Sequence, residues 1–409
     1  MSSIFEESLS TSQALEAFGD RNVVAAMLRF EAALARAQAT VGLIPDAAAQ
    51  SIIGTCKVDL FDVAKIVRLS GRSGSPAMAL VDSLKETVGL FNKEAVAYVH
   101  FGSTGQDVID TAMALITREA LELIDADVEK TVAALLALAE RHAAAPMLAR
   151  TLMQPASITS FGLKCVVWAA PLVRSRGRLR AASSHALCVQ LGGAVGTLAH
   201  MGDKGTEVTR LMADELELGA ATAPWHTQRD EWVALGCELG LLVGSLGKIA
   251  KDISLMGQFE VGEVGEVAEP SEHGRGGSSA MPHKRNPVAC MVALAAAQRA
   301  PHRVAALLAS MPQEHERGLG AWQAELAEWA QLLMSTHGSA RALALALPGL
   351  QVDTTRMRGH IDTLRLQIPK DVADQWLDPR LVRHAAQLTR TQLTLLRREP
   401  SAPSARAMS

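Results

Sequence analysis

From Gln106 to Ala145 the sequence contains neither glycine nor proline, and apolar residues return at helical spacing, among them Val108, Ala112, Leu115, Ile116, Ile124, Val128, Val132 and Leu135. The run predicts one unbroken helix. About forty residues at about 1.5 Å each make a rod on the order of 60 Å, whereas a globular helix averages about 12 residues. One small domain cannot cover such a rod. It requires a bundle of comparable helices, with faces left over for other subunits. Matching patterns occur at Ala156 to Gln190, with Pro171 as a kink, at Thr227 to Phe259, and at Pro287 to Met311, with Pro301 inside.

Composition agrees with that architecture. Hydrophobic residues are 48% of the 409, yet aromatics are only 4%, so the apolar content is carried by helix formers and not by strand-favouring rings. An all-α protein is expected. Forty basic against 43 acidic residues leave a formal charge of -3, which gives no field for nucleic acid or an anionic membrane. The expected partners are a small molecule and copies of the chain itself. Five cysteines, odd in number and without a CxxC pair, fit reduced thiols in a cytoplasm.

The opening residues MSSIFEESLSTSQALEAF carry no basic region followed by an apolar core, so no signal peptide is read. Ala181 to Gly202 lacks charged residues but holds His185, Gln190, His200 and four glycines, and reads as a helix followed by a glycine turn. Gly236, Gly240, Gly244 and Gly247 mark close helix packing within a bundle, because Asp230, Glu231, Lys248, Lys251 and Asp252 flank them. No transmembrane segment is expected. Three regions follow: a smaller helical domain at 1–104, a central long-helix bundle at 105–345, and a shortened helical region at 346–409 whose tail REPSAPSARAMS reads as disordered.

Polar clusters fall between the helical runs: HFGSTGQD (100–107), ARTLMQPAS (149–157), WHTQRD (225–230), GRGGSSAMPHKRNP (274–287) and PQEHERGLGAW (312–322). Taken singly, most have ordinary readings. Ser103 and Thr104 are natural helix caps, RTLMQP suits an inter-helix turn, and Arg229 with Asp230 makes a surface pair of little worth. The loop within 270–288 is different. Its glycines leave peptide N–H groups free to surround an anion. Lys284 adds a point charge, Asn286 an amide donor, and Ser278 a hydroxyl able to exchange a proton with carbon. These residues describe a lid that closes on a carboxylate.

GSSAMPHKRNP also resembles the GSSxMPxKxNP signature of the fumarase/aspartase superfamily, a long and specific pattern. GSTGQDVIDTA, ARTLMQPASITSFG and QLGGAVGTLA resemble other shared regions of that superfamily. Within it, PWHTQRD, GSLGKIAKDISLM and MPQEHERGLGAWQAE are most similar to the family of bacterial 3-carboxy-cis,cis-muconate cycloisomerases. The resemblance implies a homotetramer whose sites are each shared by three subunits, working in the protocatechuate branch of the β-ketoadipate pathway. It also implies a lactone closed by intramolecular addition of a carboxylate to a C=C bond, without metal or organic cofactor. By the same resemblance, Ser278 transfers the proton, while Lys284 and Asn286 hold the carboxylate that becomes an enediolate. Ser103, Thr104, Thr151 and Gln154 bind other carboxylates, and Arg150, Arg229 and Arg317 are further candidates for neutralising charge.

Two departures bear on the substrate. Where the superfamily's amine and water lyases carry a histidine, in a pattern like RTHxQ, this chain has Leu152. That disfavours a fumarate-releasing lyase of the adenylosuccinate or argininosuccinate type, because leucine moves no proton. The second departure is the short passage from QVDTTRMRGHIDTL to DPRLVRHAAQLTRTQLTLLRRE, which implies a reduced third domain and a wider choice of muconate, a sulfo-substituted one included. A catalytically silent helical homologue is the alternative from another class, and the intact Ser278, Lys284 and Asn286 count against it.

Overall fold

A computed structural model describes residues 4–266, 276–278, 280, 281 and 283–398. The tail from 399 onward and loop residues 267–275, 279 and 282 lie outside the described residues, and with them the expectation of a disordered tail and part of the expected lid.

The class is all-α, with three two-stranded sheets added among the described residues. Five helices exceed twenty residues after the loop at 100–104: α1 (Gly105–Arg141), α2 (Phe161–Ala186), α3 (Asp230–Met256), α4 (Val288–Ala309) and α5 (Ala321–Ala346). α1 begins where the glycine and proline-free run begins and ends four residues short of its limit. α3 and α4 likewise fall inside their expected spans.

The expected helix from Ala156 needs correction. Residues before Phe161 form an antiparallel hairpin of β1 (Pro146–Thr151) and β2 (Gln154–Ser160), with Arg150 opposite Pro155 and Thr151 opposite Gln154. Leu152 and Met153 turn the corner with φ of 51° and 68°, the both-positive pattern of a type I′ hairpin turn. RTLMQP is therefore a strand connection and not a helix connection. The helix expected to run on to Gln190 stops at Ala186, after which β3 (Cys188–Val189) pairs in parallel with β4 (Gly219–Ala220).

The chain divides into two compact units: Met1–Glu122 with Arg180–Glu238 and His302–Met334, and Leu123–Leu179 with Leu239–Pro301 and Ser335–Ser409. The first has Phe30, Leu34, Leu80, Leu84, Leu115 and Trp329 fully buried, with the rings of Trp232 and Trp329 stacked 4.1 Å apart. The second buries Leu172, Leu242 and Leu246 on its long helices. There Leu148 and Ile158 of the hairpin pack with Ile361, Ala373 and Leu377 of the C-terminal helices.

α3 is long and apolar enough to cross a membrane, but 56% of its apolar window is buried inside the protein. Gly236 in the first unit approaches Leu307 and Trp329, and Gly247 in the second approaches Ala297, so closely that a methyl group would collide with either neighbour. Gly244 faces open space beside exposed Leu241, so one face of α3 is covered and another is bare.

Candidate active site

The candidate residues divide between the units. Ser103, Thr104, Arg229 and Arg317 belong to the first, and Arg150, Thr151, Gln154, Ser278, Lys284 and Asn286 to the second.

In the first unit, α1 is entered through a tight turn in which His100 has φ 61° and Gly102 φ 70°. His100 Nδ1 lies 2.6 Å from Glu31 Oε1, and the Gln38 amide donates to the Phe101 carbonyl at 2.7 Å. Burial alone would depress the His100 pKa, but the charge and hydrogen bond of Glu31 outweigh it and hold the imidazole above its ordinary value. The turn delivers Ser103 and Thr104 to the N-terminus of a helix 37 residues long, where free N–H groups and the helix dipole favour anions. Ser103 Oγ is buried and meets no partner among the described residues.

Behind the turn lies Asp107, a residue that motif reading passes over. Its Oδ2 accepts from the N–H groups of Thr104 at 3.1 Å and Gly193 at 2.9 Å. Its Oδ1 accepts from the Gly192 N–H at 3.0 Å and from His226 Nε2 at 2.7 Å. Gly193 has φ 67°, and a Cβ there would stand 2.8 Å from the Gly102 carbonyl oxygen, so only glycine lets the two turns meet. The pattern T-x-x-D at 104–107 is a capping signal visible in sequence; the other three donors are not.

Arg229 proves not to be a surface residue. Its side chain is 1% exposed and donates to Asp110 Oδ2 at 2.9 Å, to Glu325 Oε2 at 3.1 Å and to Glu325 Oε1. It also lies over the Trp225 ring, 4.5 Å from the centroid. Burial, with the neighbouring Asp110 charge, pushes Glu325 above the usual carboxylate range despite this partner. Trp322 Nε1 donates to Asp110 at 2.9 Å. Two buried carboxylates thus claim the guanidinium that sequence reading offers to a substrate anion. Arg317 holds the glycine turn instead, donating to the carbonyls of Gly193 at 2.8 Å and Ala194 at 3.2 Å. A cavity of about 450 Å³ near Cys188, Trp225 and Gln228 contains none of the candidate residues.

In the second unit, the hairpin presents Thr151, Leu152 and Gln154 to solvent, Leu152 at 96% exposure. Arg150 stands apart from them in function: its guanidinium makes a two-pronged pair with buried Glu263, at 2.9 and 2.7 Å, and His360 Nδ1 lies 2.8 Å from the same carboxylate. Its charge is already matched, so its first role is to fix β1. Three residues beyond Glu263, the carboxylate of Glu266 accepts from the N–H groups of Ala289 and Cys290 and caps α4.

The described part of the loop folds back on itself. The Asn286 N–H donates to the Gly276 carbonyl at 2.8 Å, and Gly276, at φ 92°, would place a Cβ 2.6 Å from the Asn286 oxygen. The Asn286 side chain donates to the Gly277 carbonyl at 3.4 Å. Ser278 is half-buried, and its Oγ accepts from the Met281 N–H at 3.1 Å. That donor favours an oxyanion on the serine. Lys284 is exposed.

The family model described as Lyase matches residues 6–301. The 3-carboxy-cis,cis-muconate cycloisomerase of Bradyrhizobium diazoefficiens is 45% identical over 88% of this chain and 80% of its own. The nitrosuccinate lyase of Streptomyces davaonensis is 39% identical over 92% and 80%. Among solved structures, the 3-carboxy-cis,cis-muconate lactonizing enzyme from Pseudomonas putida superposes with a TM-score of 0.82 at 36% identity, covering 96% of this chain and 89% of that one. With its signature loop, its capped turn before α1 and its long helices, the chain belongs to this lyase family of the fumarase/aspartase superfamily.

Proposed function

We propose that the protein converts 3-carboxy-cis,cis-muconate to 4-carboxymuconolactone. The observation that carries the reading is the hairpin tip. Thr151 and Gln154 offer a hydroxyl and an amide suited to a carboxylate, while Leu152, one of the two residues between them, can neither give nor take a proton. A lyase that releases an amine or water needs such a group there; an intramolecular carboxylate, already a nucleophile, does not. The cycloisomerase names of several relatives support the same reading.

In this mechanism one substrate carboxylate oxygen forms a C–O bond to the alkene, and the π electrons move into an adjacent carboxylate as an enediolate. Lys284, Asn286 and loop N–H groups hold that carboxylate as its charge grows. Ser278 gives its proton to the neighbouring carbon, and the Met281 N–H stabilises the alkoxide until solvent reprotonates it. Ser103 and Thr104 hold a carboxylate that does not react. The active species is a cytoplasmic homotetramer with shared sites, serving the protocatechuate branch of the β-ketoadipate pathway. Exposed Val167, Leu241 and Leu345 on three of the long helices support self-association.

The test follows the loss of 3-carboxy-cis,cis-muconate absorbance with purified protein, beside product release from adenylosuccinate, argininosuccinate and nitrosuccinate and turnover of a sulfo-substituted muconate. Lactone formation supports the reading. A folded protein that closes no lactone, or that releases fumarate instead, overturns it. Mixing inactive Ser278→Ala and Thr151→Ala proteins should restore part of the activity; no recovery after confirmed subunit exchange overturns site sharing.

A further inference from the structure

We infer that Asp107 is the positioning residue of the anion-binding turn, acting on substrate only through Ser103 and Thr104; the inference rests on the reading of that turn as a carboxylate site. The geometry separates this role from catalysis. Asp107 is fully buried, and its two oxygens accept from four donors at 2.7–3.1 Å: Thr104, Gly192, Gly193 and His226. Four acceptances fill the lone-pair capacity of a carboxylate, so none is left for a proton in transit, a metal or a substrate hydroxyl.

What the carboxylate does is join three separate pieces of chain. Thr104 begins α1, the two glycines come from a turn some ninety residues later, and His226 stands just before α3. Gln106 strengthens the last link by donating to the His226 carbonyl at 2.9 Å. The turn is anchored at its far end as well, through His100 and Glu31. Between the anchors, backbone at positive φ holds Ser103 with its hydroxyl buried and without a partner among the described residues. Released from Asp107, Thr104 and the glycine turn would lose their common support, and the two hydroxyls would leave their shared orientation.

Asn is the sharpest substitution, since it keeps the shape and replaces one acceptor oxygen with an NH₂ group. With its NH₂ at the Oδ2 position the amide sets donor against donor at Thr104 and Gly193; at the Oδ1 position it does so at Gly192, and at His226 as well while the imidazole keeps its proton on Nε2. The prediction is a loss of ground-state binding: KM rises and kcat stays near its original value, because the carboxylate held at the turn does not react. A residue that merely kept the protein folded would not produce that split.

The experiment is a double-mutant cycle of Asp107→Asn with Thr104→Val in the assembled full-length protein. It is read by calorimetric titration of tricarballylate, a tricarboxylate that cannot lactonise, together with KM and kcat on the muconate. Each single variant should weaken tricarballylate about tenfold or more, and the double variant should be no weaker than the worse single one. Losses that multiply, or an Asp107→Asn protein that is folded and binds normally, would overturn the inference. Failure of the wild type to bind tricarballylate would overturn it too. If Asp107→Asn does not fold, His226→Leu, which removes one donor from the same carboxylate, takes its place in the cycle with the same criteria. Because the calorimetric cycle needs no turnover, an enzyme that closes no lactone would defeat the proposed reaction while still deciding the role of Asp107.

Discussion

Replacing Arg229 by methionine should destabilise the protein severely, by an amount that depends on pH. The guanidinium sits 1% exposed between Asp110 and Glu325, whose side chains are equally buried. Removing one partner from a buried ion pair costs about 3–5 kcal/mol. Here one cation serves two carboxylates, so the upper part of that range applies. Protonation limits the loss. Burial and the neighbouring Asp110 charge hold Glu325 above its usual range even with Arg229 present, and without the arginine its folded pKa rises further while the unfolded value stays near about 4.3. The folded variant therefore binds more protons than the unfolded one, and its stability falls as pH rises from about 4.3 through the raised value.

The measurement is urea denaturation of wild type and Arg229→Met at equal protein concentration, at pH 5.5 and pH 8. The deficit should be larger at pH 8, and Arg229→Lys should fall between the two proteins because lysine keeps the charge without the fork. A folded Arg229→Met variant within about 1 kcal/mol of wild type at pH 8, with KM raised manyfold, would refute the reasoning and return Arg229 to the substrate.

Three further outcomes follow from the same geometry. Ser278→Ala should cut turnover by about 10²-fold or more with the oligomer unchanged by sedimentation; near-normal turnover would remove Ser278 from proton transfer. Replacing Leu152–Met153 by Asn–Gly, the pair that accepts positive φ at both positions, should raise hairpin stability by about 1 kcal/mol, read as a higher thermal midpoint. The His100–Glu31 contact, which raises the histidine's pKa once folded, stabilises fully below about pH 6.5 and fades as pH rises through the folded value. The stability gap between wild type and His100→Gln should therefore be wider at pH 6 than at pH 9, and a gap independent of pH would refute that assignment.

The long helices were legible because their cause is local. A period of 3.6 without glycine or proline leaves the chain no other way to hide its leucines, and α1 begins where the pattern begins. The hairpin was not legible, because Leu152 and Met153 carry none of the Asn–Gly signal that announces such a turn, and Ile158 and Phe161 can be counted into a helical stripe as readily as a strand. The loop candidates stood out in sequence for another reason: Ser278, Lys284 and Asn286 lie within nine residues in a segment too polar and too rich in glycine for a helix or strand.

What sequence could not show is which charges are already matched. Arg150, Arg229 and Arg317 read alike as cations awaiting an anion, but their partners lie far along the chain: Glu263 for the first, Asp110 and Glu325 for the second, and the carbonyls of Gly193 and Ala194 for the third. Folding commits two of the three charges to carboxylates and the third to backbone oxygens. On the proposed reaction, binding of a substrate with three carboxylates would rest less on opposing charge than on oriented neutral donors: the hydroxyls of Ser103 and Thr104 at a helix N-terminus, Thr151 and Gln154 on the hairpin, and the loop N–H groups, with Lys284 as an exposed cation. Neutral donors bind an anion well only when they are held in place before it arrives. That requirement explains why so much buried polar structure, from Asp107 to the Arg229 cluster, is spent on holding turns still.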